Sequence, residues 1–98
     1  MDTPLPENHA NPGRPRVVRG DFVRLTDGAG LSLFGYVTAH PLEDVLSPGY
    51  FDGVNDALER HDRIELTADA GGESPKHRTL VVVEADRARG VRVRSLRR

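Results

Sequence analysis

The stretch that decides the fold is residues 78–96, RTLVVVEADRARGVRVRSL. Residues 78–84 are the most β-prone run in the chain because they are rich in valine, and residues 91–96 alternate apolar residues with arginine. The polar residues 86–90 between them include a glycine, which is typical of a turn. We therefore predict two strands joined by a turn at the end of the chain.

Three segments nearer the N-terminus also have strand character. Residues 63–68 alternate cleanly, with Ile64, Leu66 and Ala68 predicted to face inward. Residues 21–25 and 31–37 flank the sequence Asp27-Gly28-Ala29-Gly30, and an Asp-Gly pair supplies the positive φ values that tight hairpins need. These segments bring the predicted number of strands to about five.

Between the second and third predicted strands the apolar period changes. Phe51, Val54 and Leu58 are spaced as on one face of a helix, although Gly53 weakens a helix by about 1 kcal/mol relative to alanine. So short a sheet must hide its edges. The sequence therefore predicts a mainly β fold, a small antiparallel barrel or sandwich of about five strands with one short helix.

The length of 98 residues allows one small domain, which we place at residues 17–98. Residues 1–16 contain Pro4, Pro6, Pro12 and Pro15 and no apolar period, so we expect a flexible, extended N-terminal arm that orders on assembly. No apolar run exceeds four residues. We therefore expect no membrane-spanning helix and no signal-peptide core.

The composition bears on the possible chemistry. With no cysteine and only 5% aromatic residues, the chain offers no thiol nucleophile and little material for a cofactor pocket. The four histidines are far apart and no serine lies in a nucleophile elbow. We therefore expect no catalytic residue, no cofactor and no metal site, and a protein that is not an enzyme.

The charges are unevenly placed although the formal net charge is only −1. Residues 43–75 hold nine acids against Arg60 and Arg63, whereas residues 76–98 hold Lys76 and seven arginines against two acids. One interpretation is that the acidic middle and the basic end are neighbours and neutralise each other. The other is that they lie on opposite faces and favour head-to-tail association of copies or partners.

Three sequence segments resemble a known module. They are Tyr36-Val37-Thr38-Ala39-His40, Gly49-Tyr50-Phe51-Asp52 and Leu58-Glu59-Arg60-His61-Asp62-Arg63-Ile64. The module reads approximately as Tyr-x-Thr-Ala-Asp, then Gly-Tyr-Phe-Asn at a helix start, then Leu-x-x-Gly-Asp-x-Ile before two closing strands, and it recurs in virion proteins of tailed phages and gene transfer agents. The resemblance covers about residues 34–95. Two departures are Asp52 in place of asparagine and His61 in place of glycine.

The resemblance implies a structural component of a phage-like particle, assembled in the bacterial cytoplasm. It implies no catalytic residues, and we expect a head-spike base or a decoration protein on the capsid, with a tail-fibre or baseplate module as the alternative. The expected partners are capsid and spike or fibre proteins, and the expected homo-oligomer is a trimer or pentamer because virion positions are symmetric.

The residues that carry the module also have a physical interpretation without it. Tyr50 and Phe51 are expected to fill a core otherwise poor in aromatics, with stacking on a glycan as the alternative. Asp62 is expected to accept backbone N–H bonds and to fix a turn. The expected core and motif residues are Tyr36, Tyr50, Phe51, Leu58, Asp62 and Ile64.

The basic end supplies the candidate interface. Six arginines lie within twelve residues, and on a strand two of them share one face: Arg87, Arg89, Arg92, Arg94, Arg97 and Arg98. Such a row also suits phosphates, so a small arginine-rich nucleic-acid-binding β-barrel is the alternative of another class. The nearby acidic segment and the lack of aromatics suited to base stacking favour a protein interface.

Overall fold

The computed structural model describes residues 15–28 and 31–96, so most of the predicted arm, as well as Arg97 and Arg98, lies outside the described residues. Five strands make up most of the regular structure: β1 (Phe22–Gly28), β2 (Leu31–Val37), β3 (Arg63–Ala68), β4 (Lys76–Asp86) and β5 (Gly90–Ser95). The helical elements are a 3-10 turn (Arg19–Asp21), the short α1 (Leu42–Val45) and a longer 3-10 segment (Tyr50–Ala57). The predicted mainly β fold with about five strands is confirmed.

All five strands form one sheet in the order β1-β2-β3-β4-β5. Of the two predicted architectures, the barrel does not form, because the sheet stays open with β1 and β5 as its edges, whereas a small sandwich-like β fold fits. The antiparallel prediction holds for three of the four pairings, whereas β2 and β3 are parallel. A parallel pair needs a long crossover connection, and residues 38–62, which carry α1 and the 3-10 segment, provide it.

The crossover packs against one face of the sheet and forms the core with it. In β3 every second residue is buried, so the predicted inward positions Ile64, Leu66 and Ala68 are confirmed. The core also takes residues from β2, β4, β5 and the crossover: Phe34, Tyr36, Val45, Tyr50, Phe51, Val54, Leu58, Leu80, Val82 and Val91.

The predicted helix face is buried, but the helix is of the 3-10 type. Phe51, Val54 and Leu58 are 1–4% exposed, as the spacing predicts. The backbone departs from helical angles at Val54, next to Gly53, so the segment consists of two short pieces. Glycine, aspartate and asparagine are poor helix formers, and together they keep this segment from forming a regular α-helix.

All five aromatic residues of the chain belong to one cluster. Phe22 stacks on Phe34 with 4.8 Å between ring centroids and also contacts Tyr36 and Phe51. Tyr50 meets Phe51 nearly edge to face at 5.0 Å. The cluster joins the edge strand β1, the inner strand β2 and the 3-10 segment, so it connects the crossover to the sheet.

A chain of hydrogen bonds runs through the hydroxyl groups of this cluster. The Val18 N–H donates to the Tyr36 hydroxyl over 3.0 Å, the two tyrosine hydroxyls are 2.6 Å apart, and the Tyr50 hydroxyl lies 2.7 Å from Nδ1 of His40. Burial raises the pKa of the Tyr50 phenol, and its hydrogen bond with Tyr36 acts in the same direction.

This raised pKa predicts a loss of stability at high pH. Below about pH 10, the ordinary pKa of tyrosine, the phenol is neutral in both states; above it the unfolded chain ionises while the folded Tyr50 keeps its proton. The free energy of unfolding should therefore fall as the pH rises past about 10. Urea unfolding between pH 8 and 11 measures this free energy, which should fall less steeply with pH in Tyr50→Phe than in the natural protein. Equal slopes in the two proteins would contradict the assignment to Tyr50.

Candidate interaction surface

The predicted arginines lie on and next to β5, the last strand of the sheet. Arg87 and Arg89 are exposed in the turn between β4 and β5, and Arg92 and Arg94 are exposed on β5. Glu84 on β4 forms ion pairs with two of them, Arg89 and Arg92, each 3.4 Å from a carboxylate oxygen. The described part of this cluster therefore has an excess of positive charge on an open edge of the sheet.

Among residues 15–28 and 31–96, the ion pairs form within the basic end and between Asp56 and Arg19, and none joins the acidic middle to the basic end. Arg89 and Arg92 pair with Glu84 inside their own hairpin. In the acidic middle, Asp56 instead pairs with Arg19 at 2.8 Å. The hydrogen bond from Arg19 lowers the pKa of Asp56, and the charge of Arg87 adds to this effect.

The 3-10 segment is attached to the hairpin of β4 and β5 by two side chains. Asp52 Oδ1 accepts the backbone N–H of Val91 over 2.9 Å, and the Asn55 side-chain amide donates to the carbonyl of Asp86 over 2.9 Å. Gly90 has φ +87°, and a Cβ at that position would come within 2.6 Å of Asp52 Oδ1. Asp52, noted in the sequence only as a departure from the module, therefore positions β5.

An apolar groove of about 370 Å³ runs along the edge of β5. We call it the edge groove. Its lining comes from the loop after α1, from the 3-10 segment and from the strands β4 and β5, and includes Leu46, Pro48, Phe51, Val83, Val91 and Val93, with Arg92 and Arg94 beside them. No local sequence pattern predicts this groove, because its walls come from segments more than thirty residues apart.

The face of the sheet opposite the crossover carries further exposed apolar side chains. Val23, Leu25 and Val37 on β1 and β2 are 50%, 56% and 58% exposed. Leu25 lies over Gly35, where an added Cβ would be 3.1 Å from its Cδ1, so the glycine lets this side chain lie flat on β2. Such a strip of apolar side chains on an open sheet is typical of a surface that contacts another protein.

The six motif residues lie in the interior. Tyr36, Tyr50, Phe51, Leu58, Asp62 and Ile64 are all 4% exposed or less. Asp62 has the predicted role: Oδ1 accepts the N–H of Ser32 and Oδ2 accepts the N–H of Glu59, each over 2.9 Å. The carboxylate thereby joins β2 to the turn that leads into β3.

His61 has a backbone conformation that favours glycine. Its φ is +82°, in the left-handed region that glycine adopts most readily. The N–H of His61 donates to the carbonyl of Val82 over 2.8 Å, which holds the turn against β4.

This geometry predicts that His61→Gly stabilises the protein. The side chain is exposed, so its removal loses little packing, and relief of the left-handed strain should raise the free energy of unfolding by about 0.5–1 kcal/mol. His61→Val is the matched control, because a β-branched residue tolerates this backbone worst and should lower stability. Urea unfolding measures both; a destabilised His61→Gly variant would show that the histidine side chain has a role of its own.

Among the described residues, no group of three or more histidines and acids is arranged to hold a metal ion. No helix in the described ranges is long and apolar enough to cross a membrane. Comparisons with protein-family models, with curated proteins and with solved structures found no match.

Proposed function

We propose that this protein is a non-enzymatic structural component of a phage-like particle, either a phage or a gene transfer agent. Its place is on the head surface, as the base of a spike or as a decoration protein, and it is assembled in the bacterial cytoplasm. Its partners are capsid and spike or fibre proteins together with further copies of itself.

The observation that carries this proposal is the role of each residue at which the chain resembles the virion module. The ring pair Tyr50 and Phe51 is buried at the start of the 3-10 segment, and Asp62 accepts two backbone N–H bonds. The module's glycine position has a left-handed backbone, here at His61. The resemblance thus falls on residues with structural roles. This supports a fold shared with the virion module over a chance similarity of sequence.

The surfaces of the protein suit an adaptor between larger assemblies. One sheet offers the edge groove beside exposed arginines at β5, and the exposed apolar strip of Val23, Leu25 and Val37 near the opposite edge. Two dissimilar surfaces of this kind allow one contact with a capsid and another with a spike, fibre or neighbouring copy. A trimer or pentamer around a symmetry axis of the particle is the arrangement that we propose.

The proposal is tested on intact particles. Particles from a strain that carries an epitope-tagged chain are purified on a density gradient and labelled with immunogold. We expect the tag to sediment with the particles and the gold to lie on the head. Gold confined to the tail would replace the head assignment with a tail-fibre or baseplate role, and a tag absent from particles would overturn the virion proposal.

A further inference from the structure

We propose that residues 3–9 of one copy of this chain add to the free edge of β5 in a second copy as an extended strand, with side chains in the edge groove. The inference rests on the self-association proposed above and specifies the contact through which copies associate. It draws on three observations: the free backbone groups of β5, the positions of the prolines, and the charges on both sides.

The free edge of β5 is short and well defined. The N–H of Leu96 donates to a carbonyl of β4 over 2.8 Å, and backbone groups alternate sides along a strand, so Val93 and Ser95 direct theirs away from β4. The N–H of Val91 is already bonded to Asp52. No strand among residues 15–28 and 31–96 lies beside β5 on this side. The edge therefore offers backbone groups for strand pairing at residues 93 and 95. The bond between Asp52 and the Val91 N–H marks the end of this stretch.

The N-terminal sequence fits such a ladder. Pro4, Pro6 and Pro12 all stand at even positions, so the odd positions 3, 5, 7 and 9 keep their N–H groups. Residues two apart in a strand face the same neighbour, so the odd positions can bond to β5 while the prolines face away. The outward prolines also prevent a further strand from adding, which limits the contact to one arm for each edge.

Apolar surface and charge agree with this docking. The sequence Pro4-Leu5-Pro6 supplies apolar side chains for a groove whose walls include Leu46 and Val93. Residues 1–13 contain two acids and no lysine or arginine, whereas the edge they would meet carries exposed arginines. Opposite charges of this kind favour the encounter and the pairing.

The place where the chain enters the fold is fixed, which allows exchange of the arm between copies. The Val17 N–H donates to the Tyr50 carbonyl over 3.0 Å, and Arg19 pairs with Asp56, so the N-terminal segment begins from a fixed point on the 3-10 segment. Each copy donates its arm to one neighbour and receives the arm of the other neighbour at its own β5. It therefore contacts both neighbours, and its β5 edge is covered. Repetition of this head-to-tail contact gives a closed ring when the rotation between copies matches a symmetry axis, as at a vertex or fibre of a particle.

The test uses thiol crosslinking, because the natural chain contains no cysteine and gives no background. An epitope-tagged Leu5→Cys chain is mixed with an untagged Arg94→Cys chain, and a short bis-maleimide is added. We expect a crosslinked pair of one tagged and one untagged chain, at several times the yield of a control mixture with Glu73→Cys in the loop between β3 and β4. Ser95→Pro in the Arg94→Cys chain should abolish the product, because it removes an outward N–H and leaves the ladder with β4 in place.

Each other outcome overturns the inference. A yield no higher than with Glu73→Cys would show that the arm does not dock at β5. A Leu5→Cys, Arg94→Cys double variant that crosslinks only within one chain would show that each copy fills its own groove. A product that survives Ser95→Pro, in a variant whose thermal unfolding shows that it is folded, would rule out strand addition. The assay needs no particle, so its failure would leave the particle-labelling test to stand separately.

Discussion

Replacing Asp62 by alanine should lower the free energy of unfolding by about 3–5 kcal/mol, because the carboxylate accepts two hydrogen bonds of the charged kind, each worth about 1.5–3 kcal/mol. Asp62 is 4% exposed and its bond to Ser32 is buried, so water is poorly placed to replace the carboxylate there. A domain of this size has a total stability of about 5–15 kcal/mol. Asp62→Ala should therefore bring the protein close to unfolding at room temperature, as measured by urea titration.

Two variants separate this role from a general effect of charge. Asp62→Asn keeps one acceptor oxygen and should lose about half as much stability, since its NH₂ group faces a second donor. Asp56→Ala removes a carboxylate that pairs with Arg19 while both side chains are 59% exposed, so solvent screens the pair and the variant should lose far less stability than Asp62→Ala. Equal losses for Asp62→Ala and Asp56→Ala would contradict the bridging role of Asp62.

The sequence predicts the strands well because their signal is local. The alternation in residues 63–68 and the valine-rich run at 78–84 fall within β3 and β4, and the β3 residues predicted to face inward are buried. Burial of one face of a strand imposes a period of two on the residues themselves. The buried face of the 3-10 segment was found in the same way, from the spacing of Phe51, Val54 and Leu58.

The arrangement of the strands was predicted less well because it depends on long-range contacts. The prediction assumed that an antiparallel sheet closes on itself and so covers its edge strands. The observed sheet stays open, and β1 and β5 remain edge strands. The signal for the parallel pair was present: residues 38–62 form a connection with helical character, long enough for a crossover. The helix type could not be read from apolar spacing, since one face of a 3-10 segment and of an α-helix look alike over two turns.

The candidate surface was predicted from its charges and missed in its shape. The arginine run indicated an interface at the last strand, and the described arginines are exposed there. The edge groove needs Leu46 and Pro48 to lie beside Val93, a contact between residues more than forty positions apart. Asp52 was noted only as a departure from the module, because its bond to Val91 depends on how the crossover packs on β5.

Replacing Phe51 by alanine should have an effect as large as that of Asp62→Ala, through packing. The ring is 2% exposed and contacts Phe22, Tyr36 and Tyr50, which are three of the other four aromatic residues in the chain. Removal of a buried phenylalanine side chain costs about 3–5 kcal/mol, since the transfer free energy is lost and a cavity is left. A thin core has few neighbours that can move into such a cavity, so we expect the upper part of this range.

The matched variants for Phe51 test packing against recognition. Phe51→Leu keeps much of the volume and should lose about 1–2 kcal/mol, while Val37→Ala, which removes an apolar side chain that is 58% exposed, should change stability by less than about 0.5 kcal/mol. Stacking on a glycan, the alternative role, needs an exposed ring face, and the burial of Phe51 leaves none for a ligand. If Phe51→Ala had the same urea midpoint as the natural protein, the aromatic cluster would not be what holds the crossover on the sheet. The attachment would then depend on the hydrogen bonds of Asp52 and Asn55 to the hairpin of β4 and β5.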